Sequence, residues 1–172
     1  MSAQAKILAE AFEFAFARFE NTIQGVDEKE INYRLTGQNN SISMILNHVS
    51  RLTKINMPRV ISGDFSYVPE GWPSDYVEQS YSAEKLLNDI QTGKERVIDG
   101  VAALSDAQLD EVIPMMSGPY KRKVGLFAYL GEIFHHMGQI AFIRGTIRRL
   151  REEDPGLPEV TLGKYEYKKG GK

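Results

Sequence analysis

The sequence predicts an all-α protein, a four-helix bundle with one long crossover loop and a short irregular hairpin before the last helix. Four stretches of about twenty residues repeat apolar side chains at intervals of three and four, the spacing of one helix face. They cover residues 3–24, 41–61, 83–103 and 125–151. The segment 63–80, which holds two prolines and four aromatic residues, separates the second stretch from the third and predicts the crossover loop.

The first two helices are indicated by their apolar stripes and by residues suited to helix ends. The stripe of the first helix comprises Leu8, Phe12, Phe16, Phe19 and Ile23. Ile7 and Phe14 lie off this stripe and give the helix a second apolar face. In the second helix, Ser41 is suited to cap the free N–H groups of the first turn. Pro58 is expected to end or kink that helix, because proline lacks the N–H that a helix interior needs.

The crossover loop and the third helix both contain residues that indicate how they pack against the rest of the protein. The loop aromatics are Phe65, Tyr67, Trp72 and Tyr76. They predict that the loop lies down on the bundle, either as simple surface packing or as a functional lid. Gly93 falls on the apolar stripe of the third helix, where a small residue permits the close approach of another helix.

The last third of the chain contains the hairpin, the fourth helix and a tail. Residues 112–124 flank Ser117-Gly118-Pro119 and predict the hairpin. The fourth helix is apolar around most of its circumference, so it is either buried on most sides or covered by a partner subunit on its outer face. Residues 1–151 are therefore expected to form the bundle, and the charged, glycine-rich residues 152–172 a flexible tail.

The composition excludes several classes of function. The 172 residues include 21 Lys plus Arg and 23 Asp plus Glu, a net charge of −2, so no nucleic-acid partner is predicted. The absence of cysteine excludes disulfides, thiolate metal ligands and a cysteine nucleophile. Acidic residues interrupt the N-terminal apolar stretch, and residues 126–147 contain charged and polar side chains. We therefore predict neither a signal peptide nor a membrane span, and expect a cytoplasmic protein.

Three side chains on the second and fourth helices are candidate metal ligands. Glu132 and His136 are four residues apart, which stacks them on one helix face and allows both to reach one ion. His135 is rotated by about 100° from His136 and does not share that face. His48 lies three residues after Ile45 and four before Leu52, so its side chain is expected at or near the core seam. A divalent cation held by His48, Glu132 and His136 would compensate a carboxylate buried among apolar residues.

The residues alone leave a simpler interpretation open. A histidine on an apolar helix face is usually a hydrogen-bonded core residue. Glu132 would then face solvent or pair with Arg144 or Lys123.

Two helical segments carry a resemblance to a known family. The second helix reads Asn-Ser-Ile-Ser-Met-Ile-Leu-Asn-His over 40–48, and the fourth reads Glu-Ile-Phe-His-His-Met-Gly-Gln-Ile over 132–140. Together with Leu-Ser-Asp-Ala-Gln-Leu at 104–109, these segments resemble the DinB/YfiT-like superfamily. The similarity extends over residues 3–150.

The resemblance implies a four-helix bundle in which three histidines bind a divalent metal, commonly nickel or zinc. His48 matches the ligand of the second helix and His136 the second ligand of the fourth. At the remaining position this chain has Glu132, whose carboxylate is also an accepted metal ligand. Three protein ligands leave open positions on the ion for water or substrate.

The superfamily also implies a class of reaction. Its members include S-transferases that use low-molecular-weight thiols such as bacillithiol, and a mycothiol-dependent isomerase. By this resemblance the protein is expected to join such a thiol to a small electrophile. The alternatives are a non-catalytic, stress-related dimeric bundle with a degraded metal site, and a metal-dependent hydrolase.

Apolar surface left over by a single bundle predicts a homodimer. The second face of the first helix and the outer face of the fourth are not needed inside one bundle. Such patches usually mark an interface, most often a two-fold one, and proteins of the DinB-like type often pair in this way. In a monomer, the aromatic loop and the hairpin would have to cover these faces.

Overall fold

The computed structural model describes residues 2–115 and 118–161. This part of the chain is mostly helical with one small antiparallel two-stranded sheet, which confirms the predicted helical class. The helices are α1 (Ala3–Ile23), α2 (Glu28–Asn32), α3 (Ile42–Arg51), α4 (Met57–Ser62), α5 (Ala83–Ala102), α6 (Asp106–Asp110) and α7 (Arg122–Leu150). A π-helical segment, Leu52–Asn56, joins α3 to α4. None of the described helices is long and apolar enough to cross a membrane.

The long helices pack through the predicted apolar stripes. Helix α1 contacts α5 and α7, and α3 contacts the same two helices. The whole predicted stripe of α1, from Leu8 to Ile23, is buried. The ends of the long helical stretches lie within three residues of the predicted ends, and the largest difference is the start of α7 at Arg122.

The helix predicted over 41–61 continues past Pro58 to Ser62, in agreement with its predicted span, but a π-helical segment interrupts its regular α-helical hydrogen bonding. The π-helical turn lies directly before the proline, and the Met57 N–H bonds to the Leu52 carbonyl, five residues back. This wider turn accommodates a residue that lacks an N–H, so the helix continues to Ser62. A Cβ atom added to Gly93 of α5 would lie 2.4 Å from Thr53 Oγ1 in this turn. Glycine therefore permits the close approach that the sequence predicts.

The crossover loop lies on the bundle, as its aromatic residues predict. Tyr76 is buried, and its hydroxyl donates a hydrogen bond to Asp89 of α5 at 2.8 Å. The rings of Trp72 and Tyr81 stack on the Tyr76 ring at centroid distances of 4.0 and 4.5 Å. Burial of these rings fixes the course of the loop between α4 and α5.

Two strands pair where the hairpin is predicted. Strand β1 (Val112–Met115) runs antiparallel to β2 (Gly118–Lys121), with Val112 opposite Lys121. Residues 116–117 lie outside the described residues. The hairpin leads directly into α7 and contacts it.

Only part of the predicted flexible tail is described. Leu157 and Val160 pack against the core, so residues 152–161 lie on the bundle. Residues 162–172 lie outside the described residues.

A fully buried ion pair ties four parts of the chain together. Arg144 of α7 donates to Glu30 of α2, with Nε 2.6 Å from Oε1 and Nη2 3.2 Å from Oε2. Its guanidinium also donates to the carbonyl oxygens of Thr22, Gln24 and Thr161. The pair thus fixes the end of α1, the short helix α2 and residue 161 against α7. Sequence analysis did not identify it.

Candidate metal site and cleft

Three predicted ligands come together where α3 faces α7. One ligand atom each of His48, Glu132 and His136 lies within 4.8 Å of the other two. Glu132 Oε2 is 3.3 Å from His136 Nε2, and the rings of His48 and His136 meet edge to face with centroids 4.7 Å apart. Tetrahedral zinc bonds of about 2.0–2.2 Å separate two ligand atoms by roughly 3.4 Å. The most widely spaced of these atoms would therefore have to move closer together to bind one ion.

His136 is oriented as a metal ligand requires. Its Nδ1 lies 2.8 Å from the side-chain oxygen of Gln139. In the tautomer that carries the ring proton on Nδ1, this nitrogen donates to the amide oxygen and Nε2 keeps the lone pair that a metal ligand needs. Nε2 is buried and forms no hydrogen bond with the described residues, although Glu132 Oε2 lies 3.3 Å from it. A buried imidazole nitrogen without a partner, facing two further ligands, fits a divalent cation.

His48 is exposed, contrary to the expectation that it lies at the core seam. It lies at the edge of the buried face, because Ile45 and Leu52 on one side of it are buried whereas Met44 and Arg51 on the other side are exposed. Neighbouring side chains still desolvate the ring and lower its pKa. The charge of His136 acts in the same direction, whereas Glu132 opposes it. The neutral imidazole that results is the form that binds a metal.

In the structure, Arg144 and Lys123 have partners other than Glu132. Arg144 is held by Glu30, and Lys123 lies 2.8 Å from Asp110. The Glu132 side chain is 49% exposed, so it is not the carboxylate buried among apolar residues that the sequence suggested. Its place in the site follows from its position one turn before His136. His135 is exposed and is not one of the three residues whose ligand atoms converge.

The site opens into a cleft of about 740 Å³. This volume lies within the usual range for small-molecule sites. His48 and Glu132 line the cleft together with Arg51, Leu52, Asn56, Arg59, Phe65, Pro114, Met115, Ala128 and Tyr129. The crossover loop contributes Phe65 and the hairpin contributes Met115. Both irregular segments therefore complete the cleft.

The cleft also contains uncharged polar groups that sequence analysis missed. Burial raises the pKa of Tyr129, so its hydroxyl stays protonated at neutral pH and can donate a hydrogen bond. Asn56 belongs to the π-helical segment, and its Oδ1 is buried without a hydrogen-bond partner among the described residues. Tyr129 precedes Glu132 by three residues and so lies on the same helix face. That spacing was the available sequence signal.

Comparison with known families decides the class of protein. The profile of the family described as mycothiol S-transferase matches residues 7–149. The chain belongs to the mycothiol S-transferase family. This is a DinB/YfiT-like family, so the predicted resemblance is confirmed. The match extends from α1 through α7 and includes all three converging residues.

A solved structure shows the same fold as this mycothiol S-transferase family member. A crystal structure described as a conserved protein of locus from Enterococcus faecalis has a TM-score of 0.61. The two sequences are 17% identical, and the alignment covers 83% of this chain and 95% of the other. At this identity the likeness concerns the fold and not the function. A search of curated proteins finds no match.

Proposed function

We propose that this protein is a divalent-metal-dependent S-transferase that joins a low-molecular-weight thiol to a small electrophile. The observation that carries the proposal is the convergence of His48, Glu132 and the unpartnered His136 Nε2 beside the cleft. Membership of the mycothiol S-transferase family supplies the class of reaction. Residues 1–151 then form one DinB-like four-helix bundle, in which α3 and α4 together make up the second helix.

The residues of the site have distinct roles in this proposal. His48, Glu132 and His136 hold zinc or nickel, and Gln139 keeps the His136 ring in the required tautomer. When bound, the ion lowers the pKa of a thiol, so that thiolate forms near neutral pH. The Tyr129 hydroxyl donates a hydrogen bond to an acceptor on the substrate. The apolar walls exclude water that would otherwise compete with the thiol.

The proposed reaction is a substitution at carbon. The thiolate sulfur attacks the electrophilic carbon, and a carbon–sulfur bond forms as the bond to the leaving group breaks. The leaving group departs with the bonding electron pair, and the thiol proton passes to solvent. No oxidant or reductant is required.

The test is S-conjugation of chlorodinitrobenzene with a panel of thiols that includes mycothiol, bacillithiol and cysteine. We expect conjugation by the metal-loaded protein, its loss after chelator treatment and its recovery with zinc or nickel. Conjugation that is insensitive to the chelator, or absent with every thiol, would contradict the proposal. Metal-dependent release of chloride without any thiol would instead favour the hydrolase.

We also propose that the protein is a homodimer, because apolar side chains are exposed on two adjoining helices. Ile7 and Phe14 of α1 are 65% and 59% exposed, and Phe127 of α7 is 57% exposed. The ring of Phe14 lies 6.4 Å from that of Phe134 on α7, so the two faces adjoin. Burial of this surface against a second copy would remove it from water.

Sedimentation at micromolar concentration tests the dimer. We expect a species of twice 19.4 kDa, which Phe14→Glu converts to the monomer. Val77→Glu is the matched control, because Val77 is similarly exposed but lies in the crossover loop. A wild-type species of 19.4 kDa would reject the dimer.

A further inference from the structure

We propose that Arg51 and Arg59 form an anion subsite in the cleft, and that one of the two reactants carries a carboxylate or a related oxyanion. Both arginines line the same cleft as His48 and Glu132. The inference rests on the proposed function, because it names the substrate class of that cleft.

The backbone places both guanidinium groups at the cleft. Arg51 follows His48 by three residues in α3, so their side chains are neighbours on one helix face. Arg59 lies in α4, beyond the π-helical segment, and its Nε donates to the Tyr67 carbonyl at 2.8 Å. That bond orients the guanidinium, and its terminal nitrogens form no hydrogen bond with the described part of the chain. They remain available to a ligand.

Neither charge is neutralised by a carboxylate in direct contact. Within residues 2–115 and 118–161, Arg51 and Arg59 form no ion pair, whereas the buried Arg122 and Arg144 are each paired with a glutamate. Asp64 is an exposed carboxylate whose pKa is lowered in part by the charge of Arg59. Hydrogen bonds from Ser66 chiefly lower the pKa of this aspartate, and Arg59 contributes less.

The local charge favours an anion although the chain as a whole is acidic. Two arginines and a single acid, Glu132, line the cleft, and the proposed metal would neutralise that acid. The guanidinium fork matches the geometry of a carboxylate. Apolar neighbours such as Phe65 and Met115 lower the local dielectric and so strengthen the attraction.

Binding of a matched pair of probes tests the subsite. Benzenesulfonate is an oxyanion and a poor metal ligand, and methyl phenyl sulfone is its uncharged counterpart. Calorimetry on the zinc-loaded protein should show binding of benzenesulfonate that is weakened about tenfold to hundredfold in Arg51→Gln and in Arg59→Gln. Binding of the sulfone should be unchanged in both variants. Arg148→Gln is the control, because Arg148 is exposed at the far end of α7.

Two results of this experiment would overturn the subsite. One is equal affinity for the two probes in the wild type, and the other is a loss in Arg148→Gln as large as in the cleft variants. The metal content of each variant is measured in parallel. If His136→Ala loses the metal but still binds benzenesulfonate in an arginine-dependent manner, the subsite stands even where the transferase proposal fails.

Kinetics then show which reactant carries the anion. The first series varies the thiol: mercaptopropanoate is compared with the uncharged mercaptopropanamide, and chlorodinitrobenzene is the electrophile. The second series varies the electrophile: chloronitrobenzoate is compared with its amide, and mercaptoethanol is the thiol. In the series that varies the natural anionic reactant, we expect the acid to have a lower KM than its amide. This difference in KM should be lost in Arg51→Gln and in Arg59→Gln. No arginine-dependent preference in either series would reject the substrate class.

Discussion

Replacing Arg144 with leucine is expected to lower the free energy of unfolding by about 3–5 kcal/mol. The Glu30 carboxylate is fully buried, and without Arg144 its charge has no compensating partner. The substitution also removes the donor to three backbone carbonyl oxygens, at Thr22, Gln24 and Thr161. Chemical denaturation followed by circular dichroism measures the loss.

Two matched variants separate the buried pair from a general effect of losing an arginine. Arg148→Leu, one turn further along α7, is exposed and should change stability by no more than about 0.5 kcal/mol. The double variant Glu30→Leu with Arg144→Leu should recover much of the loss, because no charge is then left buried alone. Equal effects of Arg144→Leu and Arg148→Leu would refute the assignment.

The loss should also depend on pH in a defined direction. Burial raises the pKa of Glu30, and Arg144 opposes this shift through its hydrogen bonds and charge. Without Arg144 the pKa of Glu30 rises further, so near that pKa the folded state binds more protons than the unfolded state. Stability of Arg144→Leu should therefore increase as the pH falls toward the carboxyl pKa, and decrease as the pH rises through it. The gap between the variant and wild type narrows in acid.

Glu132→Gln is expected to weaken zinc binding strongly. Loss of a residue that only orients a metal ligand lowers metal affinity by roughly 10–100-fold, and loss of a ligand itself should lower it by more. An amide oxygen carries no charge and is a poorer ligand than a carboxylate. Glu132→His should restore the affinity or exceed it, since imidazole is a strong zinc ligand. Competition with a chromophoric chelator measures the affinity, and thermal denaturation with and without zinc measures the linked stabilisation.

The exposed Glu152 provides the control for Glu132. Glu152→Gln should leave zinc binding and stability unchanged. If Glu132 were only a surface charge, its two substitutions would also be neutral, within about 0.5 kcal/mol. That outcome would reject the carboxylate ligand and leave the fold unaffected.

The long helices were predictable because apolar residues recur every three or four positions along each of them, and this spacing can be read from the sequence alone. The π-helical turn before Pro58 was not predictable, because such a turn depends on the tertiary packing that stabilises it. The Glu30–Arg144 pair could not be predicted either, because its members are 114 residues apart and charged side chains are usually found on the surface. Only the folded chain brings them together.

The candidate site was predictable to a different extent for each ligand. The four-residue spacing places Glu132 and His136 on one face, and the structure brings their side chains within 3.3 Å. His48 was proposed from the residues and supported by the family resemblance, although helix periodicity placed it at or near the core seam and the structure shows it exposed. Arg51 and Tyr129 share faces with these ligands at spacings of three. Spacing alone does not show that a cleft lies between the two helices.

Metal analysis of four purified proteins tests the central claim most directly. Wild type, His48→Ala, His136→Ala and the control His135→Ala are incubated with zinc or nickel, desalted and measured by elemental analysis together with protein concentration. We predict a single divalent ion per chain in wild type and His135→Ala, and little in His48→Ala and His136→Ala. Wild-type protein that retains no divalent metal, or equal metal content in all four proteins, would contradict the metal site at His48, Glu132 and His136.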